Sequence, residues 1–376
     1  MSVTVKAADA AQFLALVPRL LHCTPTRSLV LVPMSRGRSL GAMRLDLPPD
    51  ELADDVGSRA VGMLCPIADA DAFVAVVYTD AEIVGSELPG SAILGALDAH
   101  ADACGLRLVD ALTVAAGGWG SHADPELPPG GHSLDDLRMP GAAADALAAA
   151  GESSDPPGDQ SAGAALPPVG KSARRAAALA LRSLEAALEA ICGIPSVAEK
   201  SARVDPAALE AACELDDLPA LYEQALAWHP RDAPMRAAML GWLLSRPSLR
   251  DVALVQWSSD QRGGDVAVEA QRRWENGERY PAELAEVMWG DGPRPDPDRL
   301  QQALAVVREV ASLMPKTHRP GPLALCAWLS WALGRSSHAD RYAGMALALD
   351  RKHGLAGIMR SFVQAGHLPD WAFRVR

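Results

Sequence analysis

The chain has 376 residues, 49% of them hydrophobic, and a formal net charge of −12 at pH 7. This length predicts two or three domains, and the apolar content is enough to build a sizeable core. The acidic balance argues against nucleic acid as a partner, because phosphate contacts need clustered lysine and arginine. No uncharged apolar run reaches the roughly 18 residues that cross a bilayer, so no membrane contact is expected either.

The start of the chain and its cysteines indicate a cytoplasmic protein. The first twenty residues have no basic start, and polar residues interrupt their apolar positions, unlike a secretory signal peptide. The six cysteines are scattered and form no CxxC pair, so the usual zinc and redox motifs are missing from the sequence. Isolated cysteines fit a reducing compartment, where most act as small buried hydrophobic residues.

The first third of the chain alternates helical and strand patterns. The periodicity predicts helices over 7–21, 49–64 and 89–104, and strands over 28–34, 39–47, 71–80 and 106–116. A turn at Arg36-Gly37-Arg38 makes the first two strands a hairpin. Because helical crossovers join parallel strands, this order predicts an α/β domain with a mixed sheet, mostly parallel with one antiparallel hairpin strand.

The rest of the chain divides into two kinds of sequence. Residues 123–171 are rich in proline, glycine and serine, and we expect a loop, a short alanine-rich helix near 140–150, and a linker whose residues 151–170 lack regular structure. From residue 172 onward the apolar spacing is helical throughout. The predicted organisation is therefore a mixed α/β domain over 1–122, a loop and linker over 123–171, and an all-helical domain over 172–376.

Several segments resemble an actinobacterial family known as domain of unknown function 4192: LLHCTPTRSLVLV, RLDLP, FVAVVYTD, RDVALVQW and GPLALCAWLSWALGRSSHADRYAGMALALDRKHGLAGIMRSFVQAGHLP. The resemblance covers most of the chain apart from the linker. His22 stands where that family usually has glycine, and Arg27 stands where an acidic residue is common. The family has no assigned activity, so the resemblance implies a family name and no chemistry.

A narrower resemblance lies in the C-terminal half. Gly334, Ala339, Ala346 and Leu347 follow the spacing of a tetratricopeptide-type helical hairpin, with a small residue at the turn and alanines between the helices. Any antiparallel helix pair packed through alanines would give the same pattern, so both interpretations stay open.

One edge of the predicted sheet is the candidate ligand site. The sequence has no GxSxG, GxGxxG, P-loop or HExxH motif. If the strands after the hairpin turn run parallel, however, their carboxyl ends share one edge with the start of the first strand, where ligands of α/β sheets bind. The candidate residues are Thr24, Arg27, Asp46, Thr79, Asp80, Trp119 and His122. The alternative is a polar edge closed by loops, with Asp46 and Asp80 acting as turn residues.

Two other features favour a structural interpretation. His22 and Cys23 suggest a base and a nucleophile, but neighbouring side chains at a helix end point in different directions, which favours a helix terminus with a buried thiol. Trp328 and Trp331 lie three residues apart, on one face of a predicted helix, and are expected in the core. The sequence assigns no catalytic residue, no metal ligand and no cofactor.

Two functions remain open. Because no catalytic constellation is visible, the favoured one is a binding or adaptor protein whose helical domain contacts a protein partner. The alternative is an enzyme, a hydrolase or a nucleotide-handling protein, that binds a small polar ligand at the sheet edge.

Overall fold

The computed structural model of the chain describes residues 7–138, 141, 158–193 and 204–372. These residues form two compact units, one up to Gly163 and the other from Ala164 to Ala372. The helix predicted near 140–150 and the linker residues 151–157 lie outside the described residues, apart from position 141. Each unit is built around its own hydrophobic core.

The N-terminal unit is a six-stranded sheet with helices on both faces. Its strands are β1 (Ser28–Ser35), β2 (Arg38–Ser39), β3 (Met43–Asp46), β4 (Ala72–Tyr78), β5 (Arg107–Val114) and β6 (Trp119–Ser121). Its helices are α1 (Ala10–Leu20), α2 (Ala53–Leu64) and α3 (Ser91–Cys104), with short 3-10 turns at Asp50–Leu52, Leu134–Asp136 and Ala162–Ala164. The predicted mixed α/β domain is thus observed, with one additional strand, β6.

Strand β1 lies in the middle of this sheet and is covered on both sides. Its Leu29 and Leu31 pack with α2 and α3, whereas Val30 and Val32 pack with α1. This follows from strand geometry, since successive side chains point to opposite faces, and it explains the unbroken apolar run. The predicted hairpin is present as well: Arg36 (φ 48°) and Gly37 (φ 77°) form the left-handed pair that a two-residue turn requires.

The prediction that the sheet is mostly parallel is wrong. Strand β1 is antiparallel to β2, β3 and β4, β5 is antiparallel to β6, and the parallel pairing is that of β4 with β5. The cause is the connection through α2, which carries the chain from β3 across β1, so that β4 pairs with β1 and not with β3. Apolar periodicity identifies strands but does not identify their neighbours.

The described end of the predicted linker makes specific contacts. The backbone N–H of Thr24 donates to the carbonyl of Gly158 at 2.9 Å, and Asp159 forms an isolated bridge with Thr24. In the second unit, Ala164 is fully buried and Ser312 donates to the carbonyl of Pro167 at 2.9 Å. Part of the stretch that was expected to lack regular structure is therefore packed against each of the two units.

The C-terminal unit is helical, as predicted from residue 172 onward. Its helices are α4 (Lys171–Ile191), α5 (Pro206–Glu214), α6 (Leu218–Ala225), α7 (Pro234–Leu244), α8 (Pro247–Ser258), α9 (Gln261–Glu275), α10 (Ala282–Trp289), α11 (Pro297–Leu313), α12 (Pro320–Ala332), α13 (Ser336–Leu349) and α14 (Gly354–Gln364). Many begin with proline because the first helical turn needs no backbone donor there. None of the helices in the described residues is both long and apolar enough to cross a membrane.

Helix α12 is the centre of this unit. All thirteen of its residues are buried, and Trp328 and Trp331 are fully buried, as the sequence predicts. Their indole N–H groups donate to the carbonyls of Met288 and His367 at 3.1 and 2.7 Å, which satisfies the polar end of each ring. The core therefore contains large aromatic side chains without leaving these two donors unpaired.

Three other helices of the unit are joined by one charged group. The guanidinium of Arg299 on α11 binds both carboxylate oxygens of Glu223 on α6, and Gln256 on α8 donates to the same carboxylate at 3.1 Å. The hydrogen bonds from Arg299 hold the pKa of Glu223 below its usual range. A two-pronged pair of this kind fixes the relative position of the helices it joins.

The hairpin formed by α12 and α13 has the features on which the repeat-like prediction rested. Gly334 has a left-handed φ of 76° at the turn, and Ala339 and Ala346 are fully buried. These observations fit any alanine-packed helix pair, so the likeness to a tetratricopeptide-type repeat stays a prediction.

Replacement of Gly321 in α12 is expected to destabilise the helical unit. A Cβ at this position would lie 2.0 Å from the carbonyl oxygen of Leu244, so backbone must move. We expect Gly321→Ala to lower the free energy of unfolding by about 3 kcal/mol. The measurement is urea unfolding followed by tryptophan fluorescence, since eight of the nine tryptophans lie after residue 200.

The matched control is Gly344→Ala in α13, where an added Cβ meets nothing within 4 Å. This substitution should raise stability slightly, by about 0.5–1 kcal/mol, because alanine favours the helix more than glycine does. Equal effects of the two substitutions would contradict the close packing of α12 against α7.

Candidate functional site

The edge of the sheet at the start of β1 places two predicted residues, Asp46 and Trp119, in one row of paired residues. Ser28 is opposite Asp46 on β3 and opposite Tyr78 on β4, and Tyr78 is opposite Val114 on β5. Because β1 is antiparallel to both β3 and β4, the carboxyl ends of β3, β4 and β5 lie at this edge. Asp46 and Tyr78 are thus about 10 Å apart at their Cα atoms, with Ser28 between them.

A hydrogen-bonded group of side chains occupies one face of this row. Arg44 donates through Nη1 to the hydroxyl of Ser28 and to the carboxylate of Asp46, both at 2.8 Å. Ser28 is fully buried and donates to the carbonyl of Thr26 at 2.8 Å. The Asp46 side chain is 89% exposed and that of Arg44 is 14% exposed, so the pair has one buried and one solvated end. It can present both charge signs to a polar ligand.

Cys23 and Tyr78 lie beside this group. Burial raises the pKa of the Cys23 thiol, while the charge of Arg44 lowers it and the charge of Asp159 raises it. Burial also raises the pKa of Tyr78, and nearby Cys23 adds to that effect. The thiol is therefore mostly protonated near neutral pH, which is the opposite of what an activated nucleophile needs.

The residues just before β1, Thr24-Pro25-Thr26, are held by hydrogen bonds to residues 158–160. Gln160 hydrogen bonds to Thr26 through its side-chain oxygen, which accepts from the backbone N–H at 3.1 Å, and through its side-chain nitrogen, which donates to the Thr26 carbonyl at 3.2 Å. Thr24 is held by Gly158 and Asp159 as described above. These contacts pin the Thr-Pro-Thr step against residues 158–160.

Thr79, Asp80 and Arg27 lie at the same edge and have different roles. The Thr79 hydroxyl accepts from the backbone N–H of Ala81 at 3.2 Å, which is a local turn bond. Asp80 and Arg27 are exposed. Arg27 and His22 have left-handed φ angles of 47° and 55°. Glycine adopts this conformation most easily, and position 22 is where the family that this sequence resembles usually has glycine.

Trp119 and His122 lie on opposite faces of the sheet. Trp119 is opposite Val114 on β5, in the same row and on the same face as Tyr78. Trp119 packs with the core beneath α1, and its ring is tilted against that of His132 with 4.8 Å between the ring centroids. Its indole N–H donates to the carbonyl of Ser133 at 3.1 Å. His122 continues β6 away from the edge, and its ring nitrogen lies 2.9 Å from the hydroxyl of Thr113. Burial lowers the pKa of His122. Three strands separate Trp119 from Asp46, a distance of roughly 19 Å, and His122 lies on the other face of the sheet.

Sequence reasoning missed Ser28 and Arg44 as members of the edge, whereas it considered Cys23 and favoured a structural role. The sequence could have indicated Arg44, because Arg44 and Asp46 are two residues apart in a predicted strand, so their side chains are on the same face of the sheet. No group of three or more histidine, cysteine or acidic side chains in the described ranges has the geometry to hold a metal ion.

The helical unit carries a second candidate site, a groove between α10, α13 and α14. Its volume is about 420 Å³, and it is open to solvent. It is lined by Trp289, Leu347, Arg351, Lys352, Ile358 and Phe362, among others. Trp289 is 49% exposed and Ile358 is 39% exposed, which is high for such apolar side chains.

Aromatic packing fixes the walls of this groove. The Phe362 ring lies 5.4 Å from that of Trp289 and 5.3 Å from that of the buried Trp331. His367 donates through Nε2 to the carbonyl of Trp289 at 3.1 Å, which ties the end of α10 to the segment after α14. The groove is therefore formed before any ligand binds.

The two units together define a protein with an α/β sheet unit and a helical unit that bears a groove. The family model described as "Domain of unknown function (DUF4192)" matches residues 11–292 of this chain. The match spans most of the sequence, so the chain belongs to that family. No curated protein and no solved structure matches the chain.

The environment of Cys23 predicts slow reaction with iodoacetamide. We expect Cys23 to be alkylated several-fold more slowly than the exposed Cys213 at pH 7.5, because its raised pKa leaves less thiolate. Arg44→Gln should slow the reaction further, since it removes the charge that lowers the Cys23 pKa. Mass spectrometry of timed samples gives both rates. Labelling of Cys23 ahead of Cys213 would favour the nucleophile interpretation.

Proposed function

We propose that the chain is a non-enzymatic adaptor that binds a short segment of another protein in the groove between α10, α13 and α14. The observation that carries this proposal is the preformed groove with its exposed Trp289. A tryptophan half open to solvent at a concave apolar surface is the feature that protein-binding hot spots share. The helical unit is thus the contact surface, as the sequence favours.

Charge at one end of the groove supports a specific kind of partner. Arg351 and Lys352 are exposed and line the groove beside apolar Leu347 and Phe362. A chain with a net charge of −12 presents here a local basic end. The complementary ligand is an acidic segment that carries large apolar side chains, since the groove would bury the side chains and the basic end would attract the acid.

The unpaired thiols support a cytosolic location. All six cysteines are free, and Cys65, Cys104, Cys192 and Cys213 are exposed. Exposed free thiols persist in a reducing compartment.

A second candidate function is a small-ligand site, or an enzyme of the hydrolase or nucleotide-handling kind, at the sheet edge. The observation that favours it is the hydrogen-bonded row of Ser28, Arg44 and Asp46. The raised pKa of Cys23 argues for binding over thiolate chemistry there.

For the sheet edge, the test is a thermal-shift screen of polar metabolites against the wild type and Asp46→Ala. We expect Asp46→Ala to leave stability nearly unchanged, because an exposed ion pair contributes only about 0–1 kcal/mol. Stabilising compounds should lose their effect in Asp46→Ala but keep it in Asp98→Ala, an exposed acid elsewhere on the same unit. Hits that are indifferent to Asp46 would remove this candidate.

For the groove, the test is selection from a displayed library of random 12-residue peptides. Selected peptides should combine tryptophan, phenylalanine or leucine with aspartate or glutamate. Trp289→Ala should weaken the tightest peptide about 30-fold, which corresponds to the roughly 2 kcal/mol of a hot-spot side chain. Fluorescence anisotropy with the labelled peptide measures the change, and Lys352→Glu should weaken binding more at low salt than at high salt.

The matched control is Trp274→Ala, since Trp274 is 55% exposed on α9 of the same unit and outside the groove. Its affinity should equal that of the wild type. Ile358→Ala is the second variant, because it removes a groove side chain without touching the aromatic packing. Basic selected peptides, or equal losses in the two tryptophan variants, would refute the groove as the binding site.

A further inference from the structure

A seam of polar side chains lies between α11, α12 and α13, apart from the groove. Arg308 comes from α11 and Ser330 from α12. Arg335 is the residue before α13, and the first half of α13 supplies His338, Arg341 and Tyr342. Arg308, Arg335 and His338 are half-buried, whereas Arg341 is exposed. The seam is therefore open to solvent on the side of Arg341 and closed at its base.

The charges in this seam have one sign. Besides burial, the guanidinium groups of Arg335, Arg308 and Arg341 all lower the pKa of His338. Burial also lowers the pKa of Arg335, and the charge of Arg308 adds to that effect. The acceptors these two arginines use are neutral: the carbonyl of Ala165 for Arg308, and the side-chain amide of Gln301 at 2.9 Å for Arg335. Like charges at half-buried positions repel each other unless an anion lies among them.

Two buried hydroxyl groups at the base have no protein partner. Among the described residues, the Ser330 hydroxyl, the Tyr342 hydroxyl and Nε of Arg308 are buried and make no hydrogen bond. Ser330 and Tyr342 are both 0% exposed. Tyr342 lies close enough to Arg308, Arg341 and Arg335 for their charges to act on its pKa. Buried polar atoms are normally paired, so donors without partners next to cations indicate an acceptor that comes from outside the chain.

The side chains also lie on facing surfaces. Ser330 is one helical turn after Cys326, and the charge of Arg308 acts on the Cys326 thiol and on Tyr342. Ser330 therefore faces α11 and α13, the helices that supply the cations. The donors therefore come from three elements, and not from one helix terminus.

We propose that this seam binds a phosphate group, with Arg335, Arg308, Arg341 and His338 around it and the hydroxyls of Ser330 and Tyr342 donating from below. Three guanidinium groups and two hydroxyls offer more donors than the two oxygens of a carboxylate can accept. A phosphate group carries up to two negative charges and at least three acceptor oxygens, which match this set. The ligand class is a phosphate ion or a small phosphomonoester.

The test is thermal unfolding of the full chain in potassium phosphate, with potassium chloride and potassium acetate at equal ionic strength. The wild type should gain about 3 °C or more at saturating phosphate, because a ligand that binds only the folded state stabilises it. Calorimetric titration with phosphate gives the dissociation constant. Phosphate also stabilises proteins without binding a site, through exclusion from the surface, so variants are essential.

The double variant Arg335→Gln, Arg341→Gln should weaken phosphate binding at least tenfold and lose most of the shift. The double variant Arg175→Gln, Arg182→Gln removes two exposed arginines on α4 outside the seam, so it is the charge-matched control and should behave as the wild type. A shift that persists in the double variant, or equal shifts in phosphate and chloride, would refute the proposal.

Tyr342→Phe and Ser330→Ala keep the packing and remove one donor each. In chloride they should be as stable as the wild type or more so, since each removes a buried hydroxyl without a partner. In phosphate they should bind several-fold more weakly. Unchanged phosphate affinity in both would overturn the assignment of these hydroxyls. Tighter binding of glycerol phosphate than of inorganic phosphate would identify the ligand as an ester.

Discussion

Complete burial of α12 is the constraint on which the helical unit depends. A helix surrounded on every side must be apolar on every side, and PGPLALCAWLSWA satisfies this almost throughout. The two indole donors find carbonyls on α10 and after α14. The Ser330 hydroxyl does not, which is why it marks the phosphate seam. Each polar group on this buried helix needs a hydrogen-bond partner, so a polar group without one indicates where a ligand could bind.

The helices that cover α12 also create both proposed surfaces. Helix α13 lies close to it through Ala339, Ala343 and Ala346, all fully buried. Small residues at this contact leave little room for aromatic side chains between the helices, and Trp331 instead extends toward Phe362 at the base of the groove. Trp289 completes the wall because α10 ends there, at Gly290 in a left-handed conformation. The hairpin of α12 and α13 is therefore closely packed along its alanines, and the groove opens beside the C-terminal end of α13.

In the N-terminal unit the sequence predicts the elements better than their arrangement. Arg36-Gly37 identifies the hairpin because a left-handed pair closes a two-residue turn, and the helix predicted over 89–104 ends at Cys104, before the left-handed Gly105. The pairing of β4 with β1 could not be predicted, since an apolar run identifies a strand without identifying its neighbours. Strand β6 has three residues, too few for a periodic pattern. Trp119 was placed at the candidate site for its chemistry, whereas packing and its bond to Ser133 account for it.

The net charge of the chain and the charge of its surfaces lead to different conclusions about partners. A charge of −12 disfavours an extended polyanion, which must contact many cations at once. At physiological ionic strength, however, a charge acts over about 8 Å, so a bound anion is governed by the groups next to it. Arg335 and His338 stand at the start of α13, and Leu347 and Arg351 stand at or just beyond its end. The fourteen residues of α13 span about 21 Å, so Arg335 at its start and Arg351 beyond its end are separated by more than two screening lengths. Composition therefore argues against nucleic acid without arguing against one phosphate at the seam or one acidic segment at the groove.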